Sequence, residues 1–340
     1  MDSSITRRDA LVDVSRQWPL SDVHRDPLPR STAWRREDVT DANWLLRLPE
    51  DSLAEIDAIV RFLRENPIPT LVLSPAEFEL SACRLFAARL KAVLESGVGF
   101  AVVDRLPIDS YSKEECLAIY WLLSQLLARP VAQAFSGTLL YDVHDTGKKT
   151  DVRVRADKTN EDLSWHTDYG FNHPPPVIGL MVLRTALSGG VSSTGSLHTA
   201  HEVLRERDPR LLERLYKPYI WNRQGEHPEG SPICTSNPIF SDHGGELRCR
   251  FNRALQPVGY RLIGQEIDKD GMDALNALHD ILSEPENHVD FVLEAGQMQF
   301  LNNGRVAHRR TAFVDHDEPE RKRHLSRIFL RDEGHRSYMG

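Results

Sequence analysis

Residues 165–183 read WHTDYGFNHPPPVIGLMVL, and this stretch guides the interpretation of the whole chain. It joins a His-x-Asp pair, His166 and Asp168, to a proline run and then to an apolar run typical of a buried strand. Side chains two residues apart on a strand point to the same side, so these two could bind one metal ion. The stretch therefore predicts a metal site built on β structure.

The His-x-acid spacing alone is weak evidence. With 14 His and 50 acidic residues among 340, random order would give about two such pairs. The sequence contains five, at His24/Asp26, His166/Asp168, His227/Glu229, His288/Asp290 and His316/Glu318. The pairs at 24, 227 and 316 lie among Pro, Gly or charged residues and are interpreted as solvated surface. The pair at 288 begins a plausible strand and is the main competitor.

The order of periodic segments predicts the fold class. Apolar residues recur at helical spacing in five segments, 52–64, 76–95, 112–127, 199–216 and 270–283. Short strand-like runs form the rest, at 98–103, 137–143, 177–184, 238–241, 247–251, 289–294, 298–302 and 324–331, with a hairpin turn at 242–245. Helices followed by many strands predict an α+β, mainly β chain with a double-stranded β-helix (jelly roll) core flanked by helices.

The domain organisation follows from the same pattern. Residues 1–90 are expected to form an amino-terminal arm and helical extension, and residues 91–340 a double-stranded β-helix domain with helical insertions. Residues 1–45 are rich in Arg, Asp, Pro and Ser without periodicity, so we expect an extended arm on the surface or on a partner subunit. Homo-oligomerisation is left open, with the first 90 residues as a candidate contact.

Composition restricts the partners. A hydrophobic fraction of 40% can bury a large core, and no apolar run approaches the roughly 20 residues that span a bilayer. A net charge of -8 provides no basic face for nucleic acid, so a small molecule is the expected partner, with neither nucleic acid nor membrane. The four cysteines are widely spaced without a CxxC pair, and no secretory signal is evident. We expect reduced thiols and a cytoplasmic location.

The residues around the His-x-Asp pair resemble the taurine dioxygenase and γ-butyrobetaine hydroxylase superfamily, with clavaminate synthase as a more distant relative. In that family a W-H-T-D segment supplies the first two iron ligands. A later Gly-Gly-Asp-Thr segment places a hydroxyl on 2-oxoglutarate. Residues 189–204 align with that segment without gaps, which puts Ser192 at the hydroxyl position and Val191 where the family has Asp.

The carboxyl-terminal part carries the stronger resemblance. Residues 300–308, FLNNGRVAH, look like the family's strand and turn leading to the distal iron ligand, which implies His308. Residues 323–327, RHLSR, resemble its closing R-x-x-x-R. The resemblance implies that Arg323 clamps the distal carboxylate of 2-oxoglutarate and that Arg327 contacts an anionic substrate group. On a strand, both guanidinium groups can enter one cavity.

The resemblance implies an Fe(II)- and 2-oxoglutarate-dependent dioxygenase that uses O₂ and releases succinate and CO₂. Two His and one carboxylate leave three iron positions open. We expect hydroxylation of an aliphatic C–H of a small, anionic or amino-acid-like metabolite. The carboxylate ligand Asp168 favours hydroxylation over halogenation, while desaturation and cyclisation stay open. The alternatives are a clavaminate-synthase-type amino-acid oxygenase of natural-product biosynthesis and a non-catalytic jelly-roll binding protein with a vestigial metal site. A zinc hydrolase would leave Arg323 unexplained.

Several other polar or aromatic residues near these motifs have less specific interpretations. Tyr169, Phe171 and His173 follow the first two ligands and either line the substrate pocket or pack as a lid. Arg153 and Arg155 are interpreted as surface residues. The two histidines at 198 and 201 have no carboxylate partner nearby and are interpreted as structural.

Overall fold

The computed structural model describes residues 11–15, 18–147 and 158–336. Its α-helices are α1 Asp41–Trp44, α2 Glu50–Glu65, α3 Ser81–Glu95, α4 Lys113–Gln125, α5 Leu197–Arg207, α6 Pro209–Leu215, α7 Leu255–Leu262 and α8 Lys269–Ser283. Its strands are β1 Val12–Asp13, β2 Leu45–Arg47, β3 Phe100–Asp104, β4 Pro130–Val131, β5 Leu140–Val143, β6 Leu163–His166, β7 Val177–Arg184, β8 Ser188–Gly189, β9 Ser192–Ser196, β10 Tyr219–Asn222, β11 Cys234–Asn237, β12 Phe240–Asp242, β13 Leu247–Cys249, β14 His288–Phe291, β15 Met298–Asn302, β16 Val306–Arg310, β17 Phe313–Val314 and β18 His324–Leu330.

Two sheets form the centre of the molecule. The larger has seven strands in the order β2-β3-β15-β7-β18-β4, with β5 also paired to β18. The smaller has four strands in the order β14-β9-β16-β6. Apart from the parallel β2–β3 pair, the ladders within these two sheets are antiparallel. The predicted double-stranded β-helix with flanking helices is thus confirmed.

Helices form in all five segments predicted as helical, and two of these segments differ from the prediction in their bounds. The segment expected as one helix over 199–216 is divided into α5 and α6, because Pro209 cannot donate a backbone hydrogen bond and Asp208 caps α6 through the backbone N–H of Leu211. The helix expected from residue 76 begins only at Ser81, because Pro75–Glu77 forms a separate 3-10 turn capped by Ser74.

The described part of the amino-terminal arm lies along the surface of the rest of the chain, and a few buried side chains anchor it there. Trp34 is 1% exposed, and its Nε1 donates to the carbonyl of Val98 at 2.7 Å. Trp44 packs on Phe100, and β2 extends the larger sheet. A sequence pattern without periodicity conceals these anchors because each depends on a distant partner. The domain boundary at residue 90 stays a prediction.

Within the described ranges, every helix is too short or too polar to traverse a lipid bilayer.

Candidate metal centre

Two histidines face each other across neighbouring strands of the smaller sheet. His166 ends β6 and lies directly opposite His308 of β16, with ring centroids 4.2 Å apart. The Nδ1 of His166 is 2.9 Å from the carbonyl of Ser164, which can only accept, so Nδ1 carries the proton. The Nε2 of His166 therefore presents its lone pair towards His308.

Asp168 reaches the same point from beyond the strand. The strand ends at His166, so the expectation that both ligands share one strand is wrong. Asn303, which is 1% exposed, holds the backbone of Asp168 at both ends: its Oδ1 accepts from the Asp168 N–H and its Nδ2 donates to the Asp168 carbonyl, each at 2.8 Å. Side-chain hydrogen bonds replace the missing ladder and aim the carboxylate inward.

The three side chains converge on one point. Asp168 Oδ1 lies 3.3 Å from Nε2 of His166 and 3.8 Å from Nε2 of His308. One donor atom from each residue falls within 4.8 Å of the others, a separation at which one ion could contact all three. Among the described residues this is the only such group of His, Cys, Asp or Glu.

The surroundings of Asp168 and His308 favour the protonation states that bind metal ions. Burial alone would raise the pKa of the Asp168 carboxyl, but Arg327 and the two histidines hold that pKa well below its usual range. Burial, together with the neighbouring His166, lowers the pKa of His308 to about 3. An ionised carboxylate and a neutral imidazole are what a divalent cation binds.

Arg323 lies in the cavity that contains these ligands, together with Ser192 of β9. Its side chain is 9% exposed, and its Nη1 has no hydrogen-bond partner among the described residues. Burial, reinforced by the charge of Arg310, lowers the pKa of Arg323 to about 9. A buried guanidinium N–H without an acceptor is costly unless a ligand accepts from it.

Arg327 enters the same cavity but is already engaged. Its Nη1 donates to Asp168 Oδ2 at 3.1 Å and its Nε to Gln133 Oε1 at 2.9 Å. The guanidinium group also lies over the rings of Tyr141 and Phe329. The structure thus places Arg323 and Arg327 in one cavity with different surroundings.

Comparison with known proteins identifies the family of this chain. The profile of the family described as "Taurine catabolism dioxygenase TauD, TfdA family" matches residues 67–329, about three quarters of the chain. The chain belongs to the TauD/TfdA family. Membership confirms the predicted resemblance and the predicted enzyme class, an Fe(II)- and 2-oxoglutarate-dependent dioxygenase that uses O₂.

Individual TauD/TfdA-like relatives span most of the chain. FR-33289 synthase of Streptomyces rubellomurinus is 29% identical over 325 residues, 94% of each protein. Trimethyllysine dioxygenase of Meyerozyma guilliermondii is 27% identical over 64% of this chain and 52% of its own length. Asparagine oxygenase, solved with Fe(II), 2S,3S-3-hydroxyasparagine and succinate, superposes with a TM-score of 0.62 at 20% identity, covering 84% of this chain and 93% of that one. The iron oxygenase OrfP, solved with Fe and alpha-ketoglutaric acid, gives 0.60 at 17%, covering 85% and 94%.

Other residues singled out in this TauD/TfdA chain lie elsewhere. Tyr169 and Phe171 are buried in the hydrophobic core, where their rings pack on each other and Tyr169 also contacts Phe329. His173 lines a separate cavity of about 510 Å³ beside the proline run. None of the three lines the cavity that holds the described metal ligands. Arg153 and Arg155 lie outside the described residues.

The competing histidines have protein partners. His288 hydrogen-bonds through Nδ1 to the carbonyls of Leu282 and Glu284. His24, expected on the surface, is 6% exposed and contacts Asp242 at 2.6 Å. His198 and His201 are buried at the start of α5, as an interpretation of structural residues requires.

Three polar residues of this centre carried no sequence signal. Gln133 and Asn303 act through hydrogen bonds to Arg327 and Asp168, which lie more than a hundred residues away along the chain. Gln299 of β15 lines the metal cavity, and its Nε2 has no partner among the described residues. Only the alternation of β15 around residue 299 could have pointed to a polar side chain facing the core.

Proposed function

We propose that His166, Asp168 and His308 hold Fe(II), and that Arg323 and Ser192 hold 2-oxoglutarate beside it. One observation carries this proposal: an unpartnered, buried guanidinium Nη1 lies in the same cavity as a convergent His/Asp/His group. A metal-only site, such as that of a zinc hydrolase, would leave this buried N–H group without an acceptor.

The donor set fits Fe(II). Two imidazole nitrogens and one carboxylate oxygen approach from one side, which leaves three positions for a chelating co-substrate and O₂. His166 is held in the correct tautomer by Ser164, and Asp168 stays ionised beside Arg327. These residues would bind and orient the ion.

The co-substrate end fits a dicarboxylate. A planar guanidinium group can bind a carboxylate through two parallel hydrogen bonds, and Arg323 has an N–H available for that purpose. Space adjoins it, since a cavity of about 570 Å³ shares Ser192, Leu293, Arg323 and Leu325 with the metal cavity. The hydroxyl of Ser192 supports the same ligand from β9.

Bound Fe(II), 2-oxoglutarate and O₂ supply an oxidant for aliphatic C–H bonds, with release of succinate and CO₂. The chain's contribution is to orient the ligands and to exclude water, with apolar walls from Val143, Leu163, Leu180, Leu293 and Leu325. Because Asp168 occupies the carboxylate position, hydroxylation is the proposed outcome.

The proposed substrate is a small metabolite with an anionic or amino-acid-like group. Arg327 supports an anionic group because its charge lies beside the metal position. An amino-acid oxygenase of the clavaminate synthase type is the second candidate. It is supported by two proteins of this fold, one solved with 3-hydroxyasparagine and the other with (3S)-hydroxy-L-Arg. Tyr169 would then act on the pocket only indirectly, through Phe329, whose ring packs against Arg327.

The test starts from anaerobic protein mixed with Fe(II) and 2-oxoglutarate. We expect a metal-to-ligand charge-transfer absorbance that is absent in His166→Ala. Succinate release is then measured with two panels, anionic metabolites and free amino acids, and the panel that stimulates it identifies the substrate class. No absorbance and no O₂ consumption with either panel would instead favour the non-catalytic binding protein with a vestigial site.

Two finer expectations belong to the same proposal. Four free, buried cysteines favour a reducing compartment, and we propose the cytoplasm. Exposed apolar side chains of Phe62, Leu71 and Val72 in the helical extension offer a surface for self-association. Light scattering after gel filtration distinguishes a monomer from a homo-oligomer.

A further inference from the structure

Gln133 fills a gap in the larger sheet next to the metal centre. Strand β18 pairs with β4 at Phe329 and Leu330, and with β5 from Leu325 to Ile328. Gln133 lies in the connection between β4 and β5 and is 0% exposed. Its Nε2 donates to the carbonyl of Leu139, just before β5, and to the carbonyl of Arg327 in β18. The side-chain amide therefore links the β4–β5 connection to β18.

The other end of the same amide faces the Arg327 guanidinium group. Gln133 Oε1 accepts from Arg327 Nε at 2.9 Å, while the rings of Tyr141 and Phe329 lie 4.8 and 4.9 Å from the guanidinium carbon. Backbone, side chain and two rings thus restrict Arg327 to one orientation. In that orientation Nη1 reaches Asp168 Oδ2 at 3.1 Å.

The two oxygens of the Asp168 carboxylate face different groups. Oδ1 faces the two histidine Nε2 atoms, and Oδ2 is occupied by Arg327. A carboxylate that is free to rotate can bind a metal with both oxygens and so take one of the positions that a chelating co-substrate and O₂ require. Holding Oδ2 aside presents a single oxygen to the metal.

We propose that Gln133 is a positioning residue for the metal centre: through Arg327 it fixes the rotation of the Asp168 carboxylate, so that one oxygen points at the metal. The inference rests on the proposed function, because it takes Asp168 as a metal ligand. The two ends of the Gln133 amide then have different roles. Nε2 stabilises the junction between β18 and the β4–β5 connection, and Oε1 orients Arg327.

Two substitutions separate these tasks. Gln133→Met keeps the size of the side chain and removes both ends. Gln133→Glu removes the Nε2 donor but keeps an oxygen that accepts from Arg327 Nε. Both should lower the thermal midpoint, since both leave the carbonyls of Leu139 and Arg327 without that donor. Only Gln133→Met should also weaken metal binding.

The measurement uses Co(II) alone, titrated into the full-length protein without co-substrate, with the d–d absorption as the readout of coordination. We expect the dissociation constant to rise about tenfold in Gln133→Met, the lower end of the range for residues that orient metal ligands, together with a changed spectrum. Gln133→Glu should bind Co(II) as the wild type does. Gln256→Met controls for the same exchange at another buried site, because Gln256 is also 0% exposed but lies in α7, outside the metal cavity, with neither side-chain polar atom hydrogen-bonded among the described residues.

Failure of the role of Gln133 and failure of the metal site give different results. If Gln133→Met binds Co(II) with wild-type affinity and spectrum while its thermal midpoint falls, Gln133 is only structural and the inference is overturned. Equal loss of affinity in Gln133→Glu overturns it as well. Should Gln133→Met not fold, Gln133→Asn, which keeps the amide but is one methylene too short to reach both partners, is expected to show the same tenfold loss. A wild type that binds neither Co(II) nor 2-oxoglutarate overturns the proposed function and the inference together.

Discussion

Histidines and acids meet in two regions of the described part of the chain, and in only one of them do three donor atoms converge closely enough to contact a single ion. The first is the metal centre. The second, which we call the arm cluster, lies where the amino-terminal arm meets α5 and comprises His24, His198, His201, Glu202 and Asp242. Both regions combine buried histidines with carboxylates, so composition does not separate them.

The direction of the lone pairs separates them. In the arm cluster the ring nitrogens face protein groups: His24 Nδ1 faces Asp242 at 2.6 Å, and His201 Nε2 faces the Tyr216 hydroxyl at 2.8 Å. His198 contacts Thr32 and the carbonyl of Leu247. At the metal centre, by contrast, two Nε2 atoms and one carboxylate oxygen point at each other. Convergence of donors, rather than their number, makes the site.

The largest expected effect is the loss of metal binding when a converging ligand is removed. His308→Ala should weaken Fe(II) binding and lower 2-oxoglutarate turnover by roughly 100-fold or more, since two remaining ligands hold the ion poorly. His201→Ala, in the arm cluster, should leave metal affinity unchanged and cost about 1–3 kcal/mol of unfolding free energy, because the Tyr216 hydroxyl loses its hydrogen bond to His201 Nε2 and keeps only the one from the His24 N–H.

Metal titration and urea unfolding of both variants test this comparison. If His201→Ala weakens metal binding as much as His308→Ala does, the two regions are coupled and the distinction drawn between them is wrong. If His308→Ala retains metal and turnover, the assignment of the third ligand is wrong.

The sequence predicted the converging ligands better than the groups that aim them. His166, His308 and Arg323 stand in motifs that are continuous along the chain, and the structure brings all three to one cavity. Asp168 was expected on the strand of His166. It lies instead beyond the strand end, in a loop held by Asn303, and only the folded structure supplies that partner from 135 residues away.

The amino-terminal arm also depends on contacts that are distant in sequence. Residues 18–44 have no periodicity, so no element could be predicted there, yet Trp34 and Trp44 belong to the main hydrophobic core. The contact between His24 and Asp242 joins residues 218 positions apart. A chain segment that is ordered only by tertiary contacts has no local pattern to detect.

Arg323 extends the comparison from histidines to charges. The arm cluster pairs its charges, whereas Arg323 Nη1 has no partner among the described residues. Arg323→Met should therefore weaken 2-oxoglutarate binding by roughly 100-fold, because the distal carboxylate loses a buried cation. The same change should stabilise the protein without co-substrate by roughly 1–3 kcal/mol, since a buried cation whose Nη1 has no acceptor among the described residues is replaced by an apolar side chain.

Equilibrium dialysis of 2-oxoglutarate and urea unfolding measure the two effects. Arg323→Lys is the matched control: it keeps the charge, so little stability should be gained, but it loses the planar two-bond contact. A destabilised Arg323→Met with normal 2-oxoglutarate affinity would contradict the assigned role.

The smallest expected effect is a pH dependence that arises in the arm cluster. Burial, with a partial offset from the bond to the Leu247 carbonyl, lowers the pKa of His198 to about 4, from 6.5 in an unfolded chain. Between these values the unfolded chain binds the proton more readily, so stability is complete above about pH 6.5 and falls as the pH drops towards 4. For His198 the loss at pH 5 is about 2 kcal/mol.

His198→Gln tests this directly, because glutamine keeps a donor for the Leu247 carbonyl but does not titrate. His173 and His308 also have lowered pKa values and contribute to the pH dependence of wild type and variant alike, so the difference between the two proteins isolates His198. Urea unfolding at pH 7.5 and pH 5.0 should show a smaller acid loss in the variant. An equal loss in both proteins would mean that protonation of His198 is tolerated in the folded state, and the arm cluster would then be less firmly closed than its hydrogen bonds indicate.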